Sequence, residues 1–348
     1  MKIRSRGIQI GTLPTGENNC LTDIEGIRVG HVTLDEPLQN GEYIATGVSA
    51  ILPHNGNPFR EKLAAASCVI NGFGKTTGLV QLDELGVLES PIMLTNTFSV
   101  PAATEGALRW LLDQTPEIGD TTGTVNIVVG ECNDSRINSI RELSVTSKHA
   151  IQAIENASSE PSAEGAVGAG KGMVCFGYKG GIGTSSRIVE LDDATDSYSV
   201  GCLVLSNFGK REEFARDRYI KRTSASQPDA PEPADGSIMI VLATDAPLDS
   251  RQLKRIAKRA SVGLARTGSH YSNGSGDIVI AFSTAQRFPH DQNDAVEKVI
   301  CLRDSHPVMN QLFQATAEAT EEAILNSLSQ AVETTGRNGL TVYPMPFS

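Results

Sequence analysis

The sequence predicts a mixed α/β protein built as one body, with residues 1–348 forming a single domain. Two observations carry this. Short apolar runs with β-type patterning recur along the chain, and amphipathic helical stretches are interleaved among them, with a single polar tract breaking the series. The chain has 348 residues, 39% hydrophobic and 20% charged, which is ordinary globular composition with enough length to bury a core unaided. No period of ~20–50 residues marks a repeat array.

The elements follow in order. Residues 21–34 (LTDIEGIRVGHVTL) read as a half-buried strand, 46–52 and 66–71 as two more, and 91–96 (PIMLTN) as a buried one. Pro101 opens a helix through Leu112. TVNIVVG at 124–130 is a strand ending at Glu131-Cys132-Asn133-Asp134, and a helix is expected over 137–156. The glycine-rich stretch 160–187 leads through GMVCFGY into a GGIGTSS turn. SVGCLVLSNFG at 199–209 is a strand that ends at Asn207. Residues 210–236 lack apolar periodicity and finish in a Pro/Ala/Ser/Asp tract, so they read as an exposed, mobile loop. That loop stops at Gly236-Ser237, where SIMIVLATDAPL begins a strongly apolar strand. Asp249 and Gln252 make a capping pattern for the next helix, whose apolar stripe is Leu253, Ile256, Ala257, Ala260 and Leu264. A strand at 275–284 follows. A long helix carrying Met309, Leu312, Phe313, Ala317, Ile324, Leu325 and Leu328 completes the series.

Several function classes are disfavoured. A net charge of −11 argues against a broad nucleic-acid footprint. No apolar run approaches the ~20 residues of a bilayer span, and no apolar signal core follows the charged N-terminus, so a cytoplasmic protein is expected. None of the six cysteines lies in a C-x-x-C pair, and no cluster has metal-ligand spacing, so no metal or cofactor is expected. Gly72–Gly78 has one residue too many for a dinucleotide fingerprint. Gly165–Gly172 matches G-x-x-x-x-G-K, but Gly172 stands where a P-loop needs Ser or Thr.

A serine hydroxyl needs a base to become a nucleophile. None of the six histidines sits in a nucleophile-elbow context, and His270, although near Ser275, reads as structural beside its glycine turn. Another base is available if Ser237 becomes a chain terminus. Its own α-amine, with an ordinary pKa of ~8, would then lie next to its hydroxyl. Gly236 permits unusual geometry at the bond to be cut, and the apolar strand after Ser237 would hold the new terminus firmly.

The sequence resembles the DmpA family of aminopeptidases, which includes L-aminopeptidase/D-amidase-esterases and β-peptidyl aminopeptidases. The resemblance runs nearly end to end. It rests on Leu21-Thr22-Asp23 through Val29-Gly30-His31, Leu94–Thr97, Gly180–Arg187, Gly236-Ser237-Ile238, Ala243–Leu248, Gly263–Gly268 and Ser275-Gly276-Asp277, in that order. It implies a four-layer αββα sandwich of the DmpA/ornithine acetyltransferase type, similar to N-terminal-nucleophile hydrolases. It further implies a precursor cut before Ser237 into chains 1–236 and 237–348, and an assembly of several such pairs.

The implied activity is release of N-terminal amino acids from small peptides, amides or esters through an acyl-enzyme. By the same resemblance Ser237 is the nucleophile, Ser275 and Asp277 hold it and move protons, and Asn207 with the Gly276 N–H forms the oxyanion hole. Glu131 pairs with the substrate's free amine. Asn133 stands in the substrate pocket, where relatives carry tyrosine or tryptophan. Two other readings are a non-cleaving, ligand-binding relative and an acyltransferase resembling ornithine acetyltransferase. The latter family uses threonine as nucleophile, which Ser237 argues against.

Overall fold

The alternating apolar patterns resolve into two stacked sheets, each with helices on its outer face. The computed structural model describes residues 1–191, 196–220 and 236–347. Its strands are β1 (Arg28–Pro37), β2 (Tyr43–Leu52), β3 (Glu61–Gly72), β4 (Val87–Leu88), β5 (Ile92–Asn96), β6 (Val128–Cys132), β7 (Val174–Cys175), β8 (Tyr178–Lys179), β9 (Gly181–Glu190), β10 (Ser197–Asn207), β11 (Ser237–Thr244), β12 (Gly276–Pro289), β13 (Thr334–Thr335) and β14 (Thr341–Val342). The helices are α1 (Leu79–Leu85), α2 (Val100–Gln114), α3 (Ser147–Glu155), α4 (Ser250–Arg266) and α5 (Val308–Ser329).

The smaller sheet has the order β1-β2-β5-β6 and the larger β4-β3-β12-β11-β10-β9. Neighbours are antiparallel except β5–β6 and β11–β12, which are parallel. Period-two alternation sorts each strand between two cores. In β11, Met239, Val241 and Ala243 join Leu94 and Val128 of the smaller sheet in an inter-sheet core. Ile238, Ile240 and Leu242 face Leu253, Ile256, Leu312 and Ile324 of α4 and α5. Val48, Met93 and Val129 pack against Ala103, Ala107, Ala150 and Ile154 of α2 and α3. Helix, sheet, sheet, helix is the expected αββα order. Among the described residues no helix is long and apolar enough to cross a membrane.

The sequence reading holds for α2, α4, α5 and most strands. At α4 the Asp249 carboxylate accepts the Gln252 N–H (2.6 Å) and the Gln252 side chain accepts the Asp249 N–H (3.2 Å). Elsewhere the structure differs. Leu21–Asp23 is a short 3-10 turn and the first strand starts only at Arg28. The expected helix over 137–156 is confined to 147–155. Before it, the Ser139 hydroxyl and the Asn138 carbonyl oxygen accept the N–H groups of Tyr43 and Ala45, dressing the end of β2. The GGIGTSS segment is part of strand β9, not a turn, and its small residues let α5 approach: a Cβ at Gly183 would lie 2.0 Å from the Ala323 carbonyl oxygen. In the expected loop 210–236, Phe214, Tyr219 and Ile220 are buried and Phe214 stacks on Tyr219. Residues 221–235 lie outside the described residues.

Candidate active site

Three adjacent strands deliver the central residues to one end of the sandwich. Asn207, last in β10, pairs across from Ser237, first in β11, and Ser237 pairs in parallel with Gly276, first in β12. By alternation Ser237 shares its face with Met239 and Val241, and Asn207 shares its face with Leu205, so both point to the inter-sheet side. Ser237 is buried, and its Oγ accepts the Gly276 N–H at 3.2 Å. Glycine is required at both flanks. A Cβ at Gly236 would sit 2.1 Å from the Asn207 carbonyl oxygen, and one at Gly276 would sit 2.7 Å from Gly74 Cα.

Asn207 is held at both ends of its amide. Its Oδ1 accepts the Val174 N–H (2.8 Å), and its Nδ2 donates to the Asn133 carbonyl (2.8 Å). A primary amide has two N–H groups, so the second stays available to another acceptor. Ser275 Oγ donates to Asp277 Oδ1 at 2.7 Å. The other oxygen, Oδ2, is buried without a hydrogen-bond partner among the described residues, and burial pushes the Asp277 carboxyl up to about 6. The Ser275–Asp277 pair thus flanks Gly276 at the start of β12, with Asp277 in register with Ile238.

Glu131 lies inside β6 rather than after it, because the strand continues to Cys132. Its Oε1 accepts the Lys75 N–H (2.9 Å) and its Oε2 accepts the Thr97 hydroxyl. Burial raises its pKa, outweighing those two bonds and the nearby Lys75 charge. Gly74 links the two halves of the site: a Cβ there would be 3.4 Å from Gly276 Cα and 3.8 Å from Glu131 Oε1. Asn133 behaves differently from a pocket wall. Its side chain is exposed and accepts the Ser135 N–H, while only its carbonyl reaches Asn207.

Other sequence features fall away from this end. His270 is exposed. In the P-loop-like stretch, Gly168–Gly172 is a short 3-10 helix and Lys171 pairs with Asp35 at 2.7 Å. Sequence reasoning missed Asp134 and Lys179, both fully buried beside the site strands. Burial pushes Asp134 up to about 7 despite hydrogen bonds from Thr46 and Asn138. Only their charge within apolar stretches hinted at either residue.

Comparison with known proteins identifies the family and the fold. Residues 19–342 match Peptidase family S58. The chain is 41% identical to the β-peptidyl aminopeptidase BapA of Sphingosinicella microcystinivorans, covering 99% of this chain and 89% of that one. The crystal structure of the PH0078 protein from Pyrococcus horikoshii OT3 superposes with a TM-score of 0.91 at 48% identity, covering 99% and 96% of the two chains. The L-aminopeptidase D-Ala-esterase/amidase of Ochrobactrum anthropi, described as a prototype for the serine aminopeptidases and a variant of the Ntn-hydrolase fold, superposes with a TM-score of 0.89 at 33% identity, covering 99% and 96%. The chain belongs to peptidase family S58. Its fold is Ntn-hydrolase-like, and it is an aminopeptidase/amidase.

Proposed function

We propose that the Gly236–Ser237 bond is cut by Ser237 itself and that Ser237 then serves as the N-terminal nucleophile. In the first step Ser237 Oγ attacks the Gly236 carbonyl carbon. The C–N bond breaks, leaving a Gly236 ester on Oγ and a free Ser237 α-amine. Water then hydrolyses the ester, giving a Gly236 carboxylate and restoring the hydroxyl. In turnover the α-amine takes the hydroxyl proton as Oγ attacks the substrate carbonyl, and passes it to the departing amine. Water releases the acyl group through the same base.

The observation that carries this reading is the placement of the Ser237 hydroxyl. It is buried at a strand start, against the Gly276 N–H and opposite Asn207, with Gly236 pressed onto the Asn207 carbonyl. As charge develops on the attacked carbonyl, the Gly276 N–H and the second Asn207 N–H are the donors for it, each worth ~3 kcal/mol in such roles. Asp277 Oδ2, buried without a partner among the described residues, receives the new amine, and Ser275 holds Asp277 in place. Glu131 pairs with the substrate ammonium in a charge-assisted bond, which selects free N-termini.

The relatives' names extend the reading to β-amino acid N-termini. Substrates are small peptides or amides, and the working form is an oligomer of cleaved pairs. Six unpaired cysteines support a cytoplasmic setting. A denaturing gel tests the proposal. The purified protein should run as chains 1–236 and 237–348, and Ser237→Ala should give one uncut chain with no turnover of alanine amides. Turnover by Ser237→Ala would sink it, and a single uncut band without activity from the unsubstituted chain would favour a non-cleaving ligand binder.

A further inference from the structure

The β7–β8 hairpin carries a buried lysine that the reaction scheme leaves without a task. Lys179 is fully buried, and its Nζ donates to the carbonyls of Gly170 (2.8 Å), Met173 (2.8 Å) and Gly180 (2.9 Å). Burial drives its pKa well below the ordinary lysine value. Three acceptor oxygens nevertheless require three N–H donors, and only the ammonium has three; a neutral amine would aim its lone pair at a carbonyl. The charged form is the one this cradle fits.

One of those carbonyls has a second consequence. Met173 C=O and Val174 N–H belong to the same planar peptide group. The carbonyl end accepts from Lys179 Nζ and from the Gly180 N–H (3.0 Å), and the N–H end donates to Asn207 Oδ1 at 2.8 Å. A cation on a peptide oxygen polarises the group and strengthens the bond its N–H makes. The hairpin makes this geometry firm, because Val174 and Lys179 are cross-strand partners. Its turn holds Phe176 at φ 51° and Gly177 at φ 69°. A positive φ is costly for a bulky residue, and here it is over-determined. Phe176 is buried against Phe208 and Phe214, and its N–H donates to the Phe208 carbonyl (2.7 Å), next in sequence to Asn207.

We propose that Lys179 is a positioning residue for the oxyanion donor Asn207, acting through the Met173–Val174 peptide. By fixing Val174 N–H on Oδ1, it fixes which edge of the amide turns its N–H groups toward the Asn133 carbonyl and the site. The inference rests on the oxyanion role proposed above for Asn207.

A double-mutant cycle tests it. Lys179→Met, Asn207→Ala and the double variant are compared by self-cleavage rate of the full chain and by turnover per cleaved chain. Misplaced catalytic groups cost up to ~100-fold, so Lys179→Met should lower kcat by about 10- to 100-fold with KM within about twofold. In the Asn207→Ala background it should add no further loss. Equal losses in both backgrounds would mean that Lys179 only supports the fold, and an unchanged kcat would remove it from the reaction altogether. Asn207→Ala with unimpaired kcat would instead overturn the oxyanion assignment. Lys179→Gln keeps a donor in the cradle and carries the same cycle if the methionine variant does not fold.

Discussion

Charge is buried in two regions of this molecule, at opposite ends of β10. Arg187 on β9 pairs across from Val200. That is seven residues from Asn207, roughly 23 Å along the strand. Arg187 is fully buried between Glu318 (3.1 Å) and Glu322 (2.6 Å) of α5, with Arg4 also on Glu322 (2.8 Å). Burial pushes Glu318 up, but hydrogen bonds from Gln314, the Thr12 and Leu13 N–H groups and Arg187 prevail, and the net direction is down. At the other end, Glu131, Asp134 and Asp277 are held by hydroxyls, amides and backbone N–H groups, and burial raises all three. One region meets every buried carboxylate with a cation. The other leaves carboxylates whose ionised forms are under-compensated, which fits the ammonium-binding role proposed for this end.

Breaking the closed region should have the larger effect on stability. Arg187→Met fills the space but leaves Glu318 buried without its cation and Glu322 with Arg4 alone. A loss of about 3–5 kcal/mol is expected, read from urea midpoints at constant slope. Replacing Glu318 and Glu322 as well, by residues of similar volume, should recover most of that loss. A cost under about 1 kcal/mol for Arg187→Met would erase the contrast between the two ends.

The open end predicts a smaller, pH-dependent effect of opposite sign. Asp277 has an ordinary value of 3.8 and is raised to about 6 in the fold. A raised carboxylate favours the protonated folded state. Its contribution is present below about pH 4 and is lost as pH rises through about 6, up to about 3 kcal/mol in all. In the uncut Ser237→Ala chain, Asp277→Asn should therefore be the more stable protein at pH 8, with the advantage shrinking toward pH 5. Urea melts at the two pH values read this directly. A difference independent of pH would show that Asp277 does not titrate in this window.

The fold was more legible in the sequence than this contrast in buried charge, which no pattern of residues announced. The mixed α/β body came from strand and helix periodicity, the αββα order from the resemblance alone, and the α4 cap was visible in Asp249 and Gln252. Ser237, Gly276 and Asn207 were legible as strand ends, and the register then brings them side by side. Strand β9 was not legible as a strand, because its glycines and serines answer to the close approach of α5 rather than to apolar burial. Phe214, Tyr219 and Ile220 looked like loop residues because they join the helix-side core across a large separation in sequence. Lys179 was missed for a related reason. Its partners are carbonyls, which every residue has, so no pattern of residue types marks its cradle. Asn133 was expected to contribute a side chain and contributes a carbonyl instead.

The finest test of the open end concerns what fills it. Glu131→Gln keeps the shape and can still accept from the Lys75 N–H, but it removes the charge proposed to meet the substrate ammonium. Hydrogen bonds to charged groups contribute about 1.5–3 kcal/mol, so kcat/KM for alanine amide should fall by roughly 10- to 150-fold. The N-acetylated amide, which carries no ammonium, should react no worse than with the unsubstituted enzyme. The pH profile separates charge from shape. Because burial raises the Glu131 pKa, its carboxylate keeps a proton to higher pH than an exposed glutamate would. The protonated form cannot form the ion pair, so kcat/KM of the unsubstituted enzyme on free amines should decline as pH falls through that raised value. The glutamine variant should lose that limb. Unchanged selectivity between free and acetylated substrates would show that the unpaired charge at this end serves something other than the substrate amine.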